Sequence, residues 1–385
     1  MPPAVHFGSG RFRELGTIAA SLGQRAWIVG GTRSLVRSGL LVRLEPLLSA
    51  AGVTAELGAT TAGEPTVEQV ARALAGLPGG SRAGIVVLGI GGGAAIDLAK
   101  AVAALATNVS PDETDLEAAV IDRLEGVGRG LPITRPPLPV IAVPTTAGTG
   151  AEATRNAVIS CPRRRFKKSM RSPLMVPRVA VVDPDLCGTC DRETTAASGL
   201  DCITQLIESY VCRVARPLPR ALVLDALPRA VAAFPRVLTA PDDADARAAM
   251  SHAALVSGIA LTNAGLGMAH GVAAALGIEC GTPHGLACAA CLPLAIRVNL
   301  PVAAAEYAAL ERAVSGDASA EAASGFLARI EGLCRTAGVP LRLRDLGLAR
   351  DRVAWLAENS GGASMRGNPR ELDAAALRPI LEAAW

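Results

Sequence analysis

Three short stretches hold the residue types that bind metals and polarise oxygen: Gly199–Glu208, Gly267–Ala274 and Gly281–Gly285. The first reads Gly199-Leu200-Asp201-Cys202-Ile203-Thr204-Gln205-Leu206-Ile207-Glu208. On a helix, Asp201 and Gln205 share a face and Glu208 lies near the same stripe. The rest of the segment is apolar, so a carboxylate there needs a partner, because a buried unpaired charge is expensive. A metal ion is one such partner and an arginine is another. Two of the chain's four histidines, His270 and His284, fall in the other two stretches, in mostly uncharged sequence. One unbroken helix would hold them roughly 21 Å apart. Gly277, Gly281 and Pro283 interrupt that helix and let the chain fold back, bringing the rings together. Imidazole with carboxylate suits Zn²⁺ or Fe²⁺ rather than Mg²⁺ or Ca²⁺.

Two further loops have the make-up of a nucleotide site. In Leu88-Gly89-Ile90-Gly91-Gly92-Gly93-Ala94-Ala95-Ile96-Asp97-Leu98-Ala99-Lys100, an apolar strand runs into consecutive glycines and then a helix. Glycine allows close approach of a phosphate, and a helix N-terminus offers free N–H groups and a positive dipole. The pattern is neither G-x-G-x-x-G nor a Walker A loop, since Lys100 lies too far along, and it follows the third predicted strand rather than the first. In Val143-Pro144-Thr145-Thr146-Ala147-Gly148-Thr149-Gly150-Ala151-Glu152, a strand ends in hydroxyls and glycines that suit pyrophosphate, ribose or a nicotinamide amide. Cys187/Cys190 and Cys288/Cys291 each fit C-x-x-C. The two pairs lie about a hundred residues apart, which favours small buried hydrophobes over a four-cysteine zinc site.

These loops need elements to hold them. Strand candidates at 26–29, 53–57, 85–90, 140–143 and 179–182 alternate with helical patterns at 36–51, 67–75 and 94–106. Near-continuous apolar strands alternating with helices predict a parallel sheet covered on both faces. After Asp183-Pro184-Asp185 strand patterns vanish, and helices are expected at 192–211, 220–233, 244–261, 302–314 and 320–337. A length of 385 residues favours two domains, set at 1–186 for an α/β nucleotide-binding domain and 187–385 for an all-α domain. The polar, proline-rich 110–138 reads as a long connection of the kind that borders a functional cleft.

A net charge of +3, with 3% aromatic residues, offers neither the basic face nor the stacking platforms of a nucleic-acid binder. The densest basic run, Arg163 to Arg171, reads as a solvated loop. Nine irregularly spaced cysteines argue against a disulfide framework and for a reducing cytoplasm, and no signal-peptide layout opens the chain. The uncharged stretch Ala253–Ile278 is long enough to span a bilayer, yet its Asn263, His270 and five glycines predict a buried helical core instead.

Taken together and in this order, the motifs resemble the iron-containing (group III) alcohol dehydrogenase family over essentially the whole chain. The matching positions are His6-Phe7-Gly8-Ser9-Gly10, Gly91-Gly92-Gly93 with Asp97 and Lys100, Ala106-Thr107-Asn108, Pro144 to Gly150, Asp183-Pro184, Gly199-Leu200-Asp201, His270, His284 and Gly367-Asn368-Pro369-Arg370. The resemblance implies a Rossmann-like parallel-sheet domain followed by a helical metal-binding domain, an architecture shared with dehydroquinate synthase, with the active site in the cleft between them.

By position, the resemblance makes Asp201, His270 and His284 metal ligands. Gln205 stands where many members carry a further histidine. Its amide oxygen is a weaker ligand, and the change moves the expectation from iron towards zinc. Ala274 stands where many members carry a histidine of the proton relay, so water, a ribose hydroxyl or another group takes that task. Gly91, Gly92 and Gly93 match the pyrophosphate loop, with Asp97 in the same cofactor-binding segment. Thr145, Thr146 and Thr149 match positions near the nicotinamide, and Lys167 or Lys168 a lysine near the ribose. After the first predicted strand the chain reads Val29-Gly30-Gly31-Thr32-Arg33-Ser34. With no acid there, and with Thr32 and Arg33 at hand, NADP is favoured over NAD. The implied enzyme is a cytoplasmic homodimer with one Fe²⁺ or Zn²⁺ per chain, transferring hydride between the nicotinamide and a small alcohol or carbonyl compound. Two alternatives remain: a dehydroquinate synthase-like NAD- and zinc-dependent cyclase or lyase, and a non-catalytic relative.

Overall fold

The computed structural model describes residues 1–79 and 81–385, which divide into two compact units. Unit 1 comprises Met1–Thr146 and Gly150–Cys190, and unit 2 comprises Ala147–Thr149 and Asp191–Trp385.

Unit 1 is built on a six-stranded, all-parallel sheet in the order β1-β8-β5-β4-β2-β3. Its strands are β1 (Ala4–Phe7), β2 (Arg25–Gly31), β3 (Thr54–Thr61), β4 (Ile85–Gly91), β5 (Val140–Pro144) and β8 (Val179–Val182). Every residue of β4 and β5 is buried, as expected of central strands covered on both faces. The covering helices are α1 (Leu15–Ala20), α2 (Leu40–Ala50), α3 (Val67–Ala75), α4 (Gly93–Asn108) and α5 (Leu116–Ile121). Separate apolar clusters on the two faces contain, among others, Val87 and Val102 on one side and Leu88 and Leu44 on the other.

Several expectations need correction. The basic run Arg163–Arg171 is solvated but only partly a loop: β6 (Asn156–Cys161) and β7 (Phe166–Arg171) form an antiparallel hairpin with Arg163, Arg164 and Arg165 exposed in its turn. Three of its cations are paired with carboxylates, Arg163 with Glu68 and Glu117, Lys167 with Glu64, and Arg171 with Glu125. The carboxylate partners lie far away in sequence, so the run in isolation looked merely charged. Strand β1 also escaped the pattern reading, because it is a short, half-exposed edge strand paired only with β8. Helix α2 starts at Leu40 rather than Val36, since Thr32–Arg37 forms a wide π-type turn that ends at Gly39 with φ 73°. The 110–138 segment contains α5 and sends Leu124, Ile133 and Leu138 into the core.

Unit 2 is all helical: α6 (Arg192–Val211), α7 (Pro217–Thr239), α8 (Ala244–Asn263), α9 (Met268–Cys280), α10 (His284–Ser315), α11 (Ala322–Ala337), α12 (Val353–Asn359), α13 (Ala363–Arg366) and α14 (Ala374–Ala383). Asp191 caps α6 and Asp243 caps α8, each through a side-chain oxygen on a first-turn N–H. The uncharged 253–278 stretch is not one rod, because α8 and α9 meet at 100° across residues 264–267. Gly277 lies inside α9, and the break that follows falls at Gly281 with φ 68°. The predicted helix 302–314 is the second half of α10, which kinks at Ala303 just after Pro301. Helix α10 is long and apolar enough to cross a membrane, but 67% of its apolar window is buried inside the protein, as in a core helix.

Candidate metal centre and nucleotide cradle

Three helices of unit 2 bring the metal-type residues together. Helix α6 runs unbroken through the first stretch, so Asp201, Gln205 and Glu208 line one buried stripe. His270 sits in the first turn of α9 and His284 opens α10. Cys288 follows one turn after His284 on the same face of α10. Helix α10 can approach α6 this closely because Gly285 has no side chain: a Cβ there would lie 2.3 Å from the carbonyl oxygen of Ala197.

The imidazoles of His270 and His284 meet edge to face with centroids 5.5 Å apart. His270 Nε2 lies 3.4 Å from Asp201 Oδ1, and Cys288 Sγ lies 3.6 Å from His284 Nε2. One ligand atom from each of Asp201, His270, His284 and Cys288 falls within 4.8 Å of all the others. Asp201 Oδ1 and His270 Nε2 are both buried with no hydrogen-bond partner. Donors about 2.1 Å from a tetrahedral centre stand about 3.4 Å apart, so this orphaned pair fits two ligand positions of a small divalent cation. The acceptor-only carboxylate and the imidazole lone pair are the right chemistry for that role.

Around this set a second layer fixes orientation. His270 Nδ1 lies 2.6 Å from Glu208 Oε2, while Glu208 Oε1 accepts the Ala269 N–H at 2.6 Å. Gln205 Nε2 donates to Asp201 Oδ2 at 3.0 Å, and Ser257 Oγ donates to Gln205 Oε1 at 2.7 Å. The Gln205 amide is therefore occupied at both ends. Burial opposes charge on His270, but Cys288, Asp201 and Glu208 outweigh it and raise its pKa well above the ordinary value. Burial likewise disfavours the Asp201 carboxylate, yet His270 and His284 hold its pKa below the usual one. The Cys288 thiol is pushed up to about 12, chiefly by burial.

Asn368, in the Gly367-Asn368-Pro369-Arg370 tetrapeptide, braces the site although its residue type alone gives no such signal. Its Oδ1 accepts the Met268 N–H at 3.0 Å at the start of α9, and it exchanges two hydrogen bonds with buried Asn299. Cys288 is fully buried, as expected of a small hydrophobe, and also lies among the metal-type donors. Its i, i+4 spacing from His284 was the available signal.

In unit 1 the glycine run follows β4 at the point where the sheet order reverses between β2 and β4, the usual binding crevice of such sheets. Gly91 has φ 150°, and a Cβ on it would stand 3.0 Å from Gly31 N and 2.8 Å from the Ala95 Cβ. Gly92 is the N-cap residue of α4 and carries no capping side chain, so no cap side chain occupies the first N–H groups of the helix. Thr145 is buried, and its Oγ1 has no hydrogen-bond partner. Thr146 Oγ1 faces Gly92, and Thr149 lies in the short segment that belongs to unit 2. Asp97 turns inward: it pairs with Lys100 at 2.9 Å and accepts the Val158 N–H at 2.9 Å. Lys100 goes on to the Ala151 carbonyl and Thr154, so this ion pair ties α4 to β6 and the Ala151 turn. Thr32 and exposed Arg33 open the π-type turn after β2.

A family model described as iron-containing alcohol dehydrogenase matches residues 2–184, and one for the C-terminal part of the same family matches residues 195–385. The chain belongs to the iron-containing alcohol dehydrogenase family. It is 31% identical to lactaldehyde reductase of Escherichia coli K12 over 98% of this chain and 97% of the relative. Among solved structures, a 1,3-propanediol oxidoreductase superposes with a TM-score of 0.88 at 28% identity, covering 100% of this chain and 98% of that one. The sulfoacetaldehyde reductase of Bifidobacterium kashiwanohense, solved with NAD⁺, gives 0.86 at 26% identity, covering 100% and 97%. As a member of this family, the chain is an oxidoreductase of CH–OH groups, an alcohol dehydrogenase or aldehyde reductase that works with a divalent metal and a nicotinamide cofactor. The parallel-sheet and helical units agree with the fold expected of that family. The cyclase and non-catalytic alternatives give way to this assignment.

Proposed function

We propose that the cation is Zn²⁺ or Fe²⁺ held by Asp201, His270 and His284, with Gln205 beside them on α6, and that the preferred cofactor is NADP(H). The observation that carries the metal reading is the buried, unpartnered pair Asp201 Oδ1 and His270 Nε2, with His284 alongside. Leaving both atoms desolvated and unsatisfied is costly, and a cation on them removes that cost.

When bound, the cation supplies Lewis acidity to the substrate oxygen and the nicotinamide gives or takes the hydride. The protein's own groups prepare that event. Glu208 holds the Nδ1 proton of His270 and leaves Nε2 as the lone-pair donor. Gln205, braced by Ser257, holds one oxygen of Asp201 and leaves the other facing His270. Burial of Asp201 and His270 keeps bulk water from competing for these donors. Gly91, Gly92 and Gly93, at the N-terminus of α4, bind the cofactor pyrophosphate through backbone N–H groups. Thr145 offers its unpartnered hydroxyl to the nicotinamide end, together with Thr146 and Thr149. The family resemblance puts Lys167, whose ammonium is paired with Glu64, near the ribose, and Asp97 acts from behind by anchoring α4.

The NADP(H) preference rests on the β2 exit, where Thr32, Arg33 and Ser34 occupy the turn that an acid would need in order to repel a 2′-phosphate. Arg33→Asp should turn the preference towards NADH, read as the ratio of kcat/KM for the two cofactors. The substrates are short-chain aldehydes and alcohols, the class named in the relatives above. The irregular spacing of the nine cysteines supports a reducing cytoplasm, and exposed Val214, Leu218 and Val302 on the helical unit support a homodimer.

The deciding experiment compares wild type with Asp201→Ala for metal content and for aldehyde reduction by NADPH. Joint loss of the ion and of turnover supports the reading. Full turnover in Asp201→Ala overturns it.

A further inference from the structure

We propose that Cys288 is the fourth protein ligand of the metal and that Gln205 is not one. The inference rests on the three-ligand reading above and extends it. Cys288 is fully buried, with Sγ one helical turn from His284 and within the same 4.8 Å set of donor atoms. The same donor set already contains two buried, unpartnered atoms, Asp201 Oδ1 and His270 Nε2. A cation between those atoms therefore also meets the sulfur.

Gln205 stands at the position from which α6 would supply a fourth donor, and it is engaged elsewhere. Its nitrogen is on Asp201 and its oxygen is on Ser257. Turning the oxygen towards a cation would break both bonds inside a dry core and leave Ser257 Oγ with only the Ala254 carbonyl. The donor lost from α6 is thus replaced from α10, across the site.

The replacement changes the chemistry. One carboxylate and one thiolate balance a divalent charge, whereas a carboxylate with neutral imidazoles leaves one positive charge. Thiolate is also the softer ligand, and a mixed S, N, O donor set suits zinc more than ferrous iron, with the substrate oxygen entering as a fifth ligand. Binding displaces the thiol proton to solvent, so no oxidant or reductant is required. The inferred site is Asp-His-His-Cys and takes Zn²⁺.

The test uses full-length protein stripped of metal and reloaded with one equivalent of Zn²⁺ or of Co²⁺ as a visible probe. Zinc-edge X-ray absorption of wild type should show one sulfur neighbour at about 2.3 Å beside nitrogen and oxygen neighbours at about 2.0–2.1 Å. The Co²⁺ form should show an intense near-ultraviolet sulfur-to-metal charge-transfer band. Cys288→Ser should lose the sulfur neighbour and the band. It should also lose at least the roughly 10- to 100-fold in zinc affinity that an outer-shell partner alone is worth. Gln205→Ala should keep both the sulfur neighbour and the band. An ion that is lost with Asp201→Ala but shows only nitrogen and oxygen neighbours in wild type overturns the Cys288 assignment and leaves the three-ligand reading standing. Protein that takes up no ion overturns both. The wild-type spectrum decides between these outcomes even if the serine variant folds poorly.

Discussion

At the scale of single residues, the carboxylates behave differently according to what each one faces. Glu208 accepts from His270 Nδ1 and from the Ala269 N–H, and so sets both the tautomer and the ring angle of His270. Glu208→Ala should weaken zinc binding about 10- to 100-fold, measured by competition with a chromophoric chelator, and Glu208→Gln should recover part of the loss. Glu152 is a different case. It is buried beside Lys100 in unit 1, and burial lifts its pKa to about 7 from an ordinary 4.5. A carboxyl raised on folding contributes stability that is complete below 4.5 and is lost as the pH climbs through 7. A shift of this size is worth about 3 kcal/mol. Glu152→Gln should therefore gain on wild type between those pH values and level off above them, as read from urea midpoints across the range. A gap between the two proteins that did not change with pH would remove the explanation.

At the scale of elements, the metal site depends on how closely α10 approaches α6. The Ala197 carbonyl occupies the place where a side chain at position 285 would start. Gly285→Ala should cost about 1–3 kcal/mol by overpacking and should also lower metal affinity, because His284 is the neighbouring residue. Chemical denaturation with and without Zn²⁺ separates the two effects. The start of α9 depends on Asn368, which caps Met268 and pairs with Asn299. Asn368→Ala leaves buried amide and N–H groups unpaired and should cost about 1–3 kcal/mol, with His270 displaced in step. A variant with wild-type stability and wild-type zinc affinity would show that this pair has no positioning role.

At the scale of the whole molecule, the donors proposed for the ion all come from unit 2, and the glycine cradle belongs to unit 1. Metal removal should thus be felt first in one unit. An ion present at 100 times its Kd stabilises the state that binds it by about 2.7 kcal/mol. On chelation, amide exchange should quicken in α6, α9 and the first turns of α10, while β4 and β5 keep their protection. Equal loosening of the central sheet would mean that the ion is held elsewhere or that the two units unfold as one.

The sequence alone determined whatever depends on local spacing. Asp201 and Glu208 share a stripe because of helical periodicity, Gly91 to Gly93 join a buried strand to a helix, and the change from strand to helix patterns after Asp183 separates two kinds of structure. The family was legible too, since its motifs recur in order along the chain. Only the tertiary structure decided matters set by contacts distant in sequence. It placed β4 beside β2, so a glycine loop that follows the third predicted strand still lies where the sheet order reverses. It paired Lys167 and Arg171 of β7 with acids from elsewhere in the chain and made a strand of part of an apparent loop. It also turned Gln205 towards Ser257 and set Cys288 against His284. Periodicity tells which residues share a face, but which face meets which is settled by packing between elements that the chain connects only at long range.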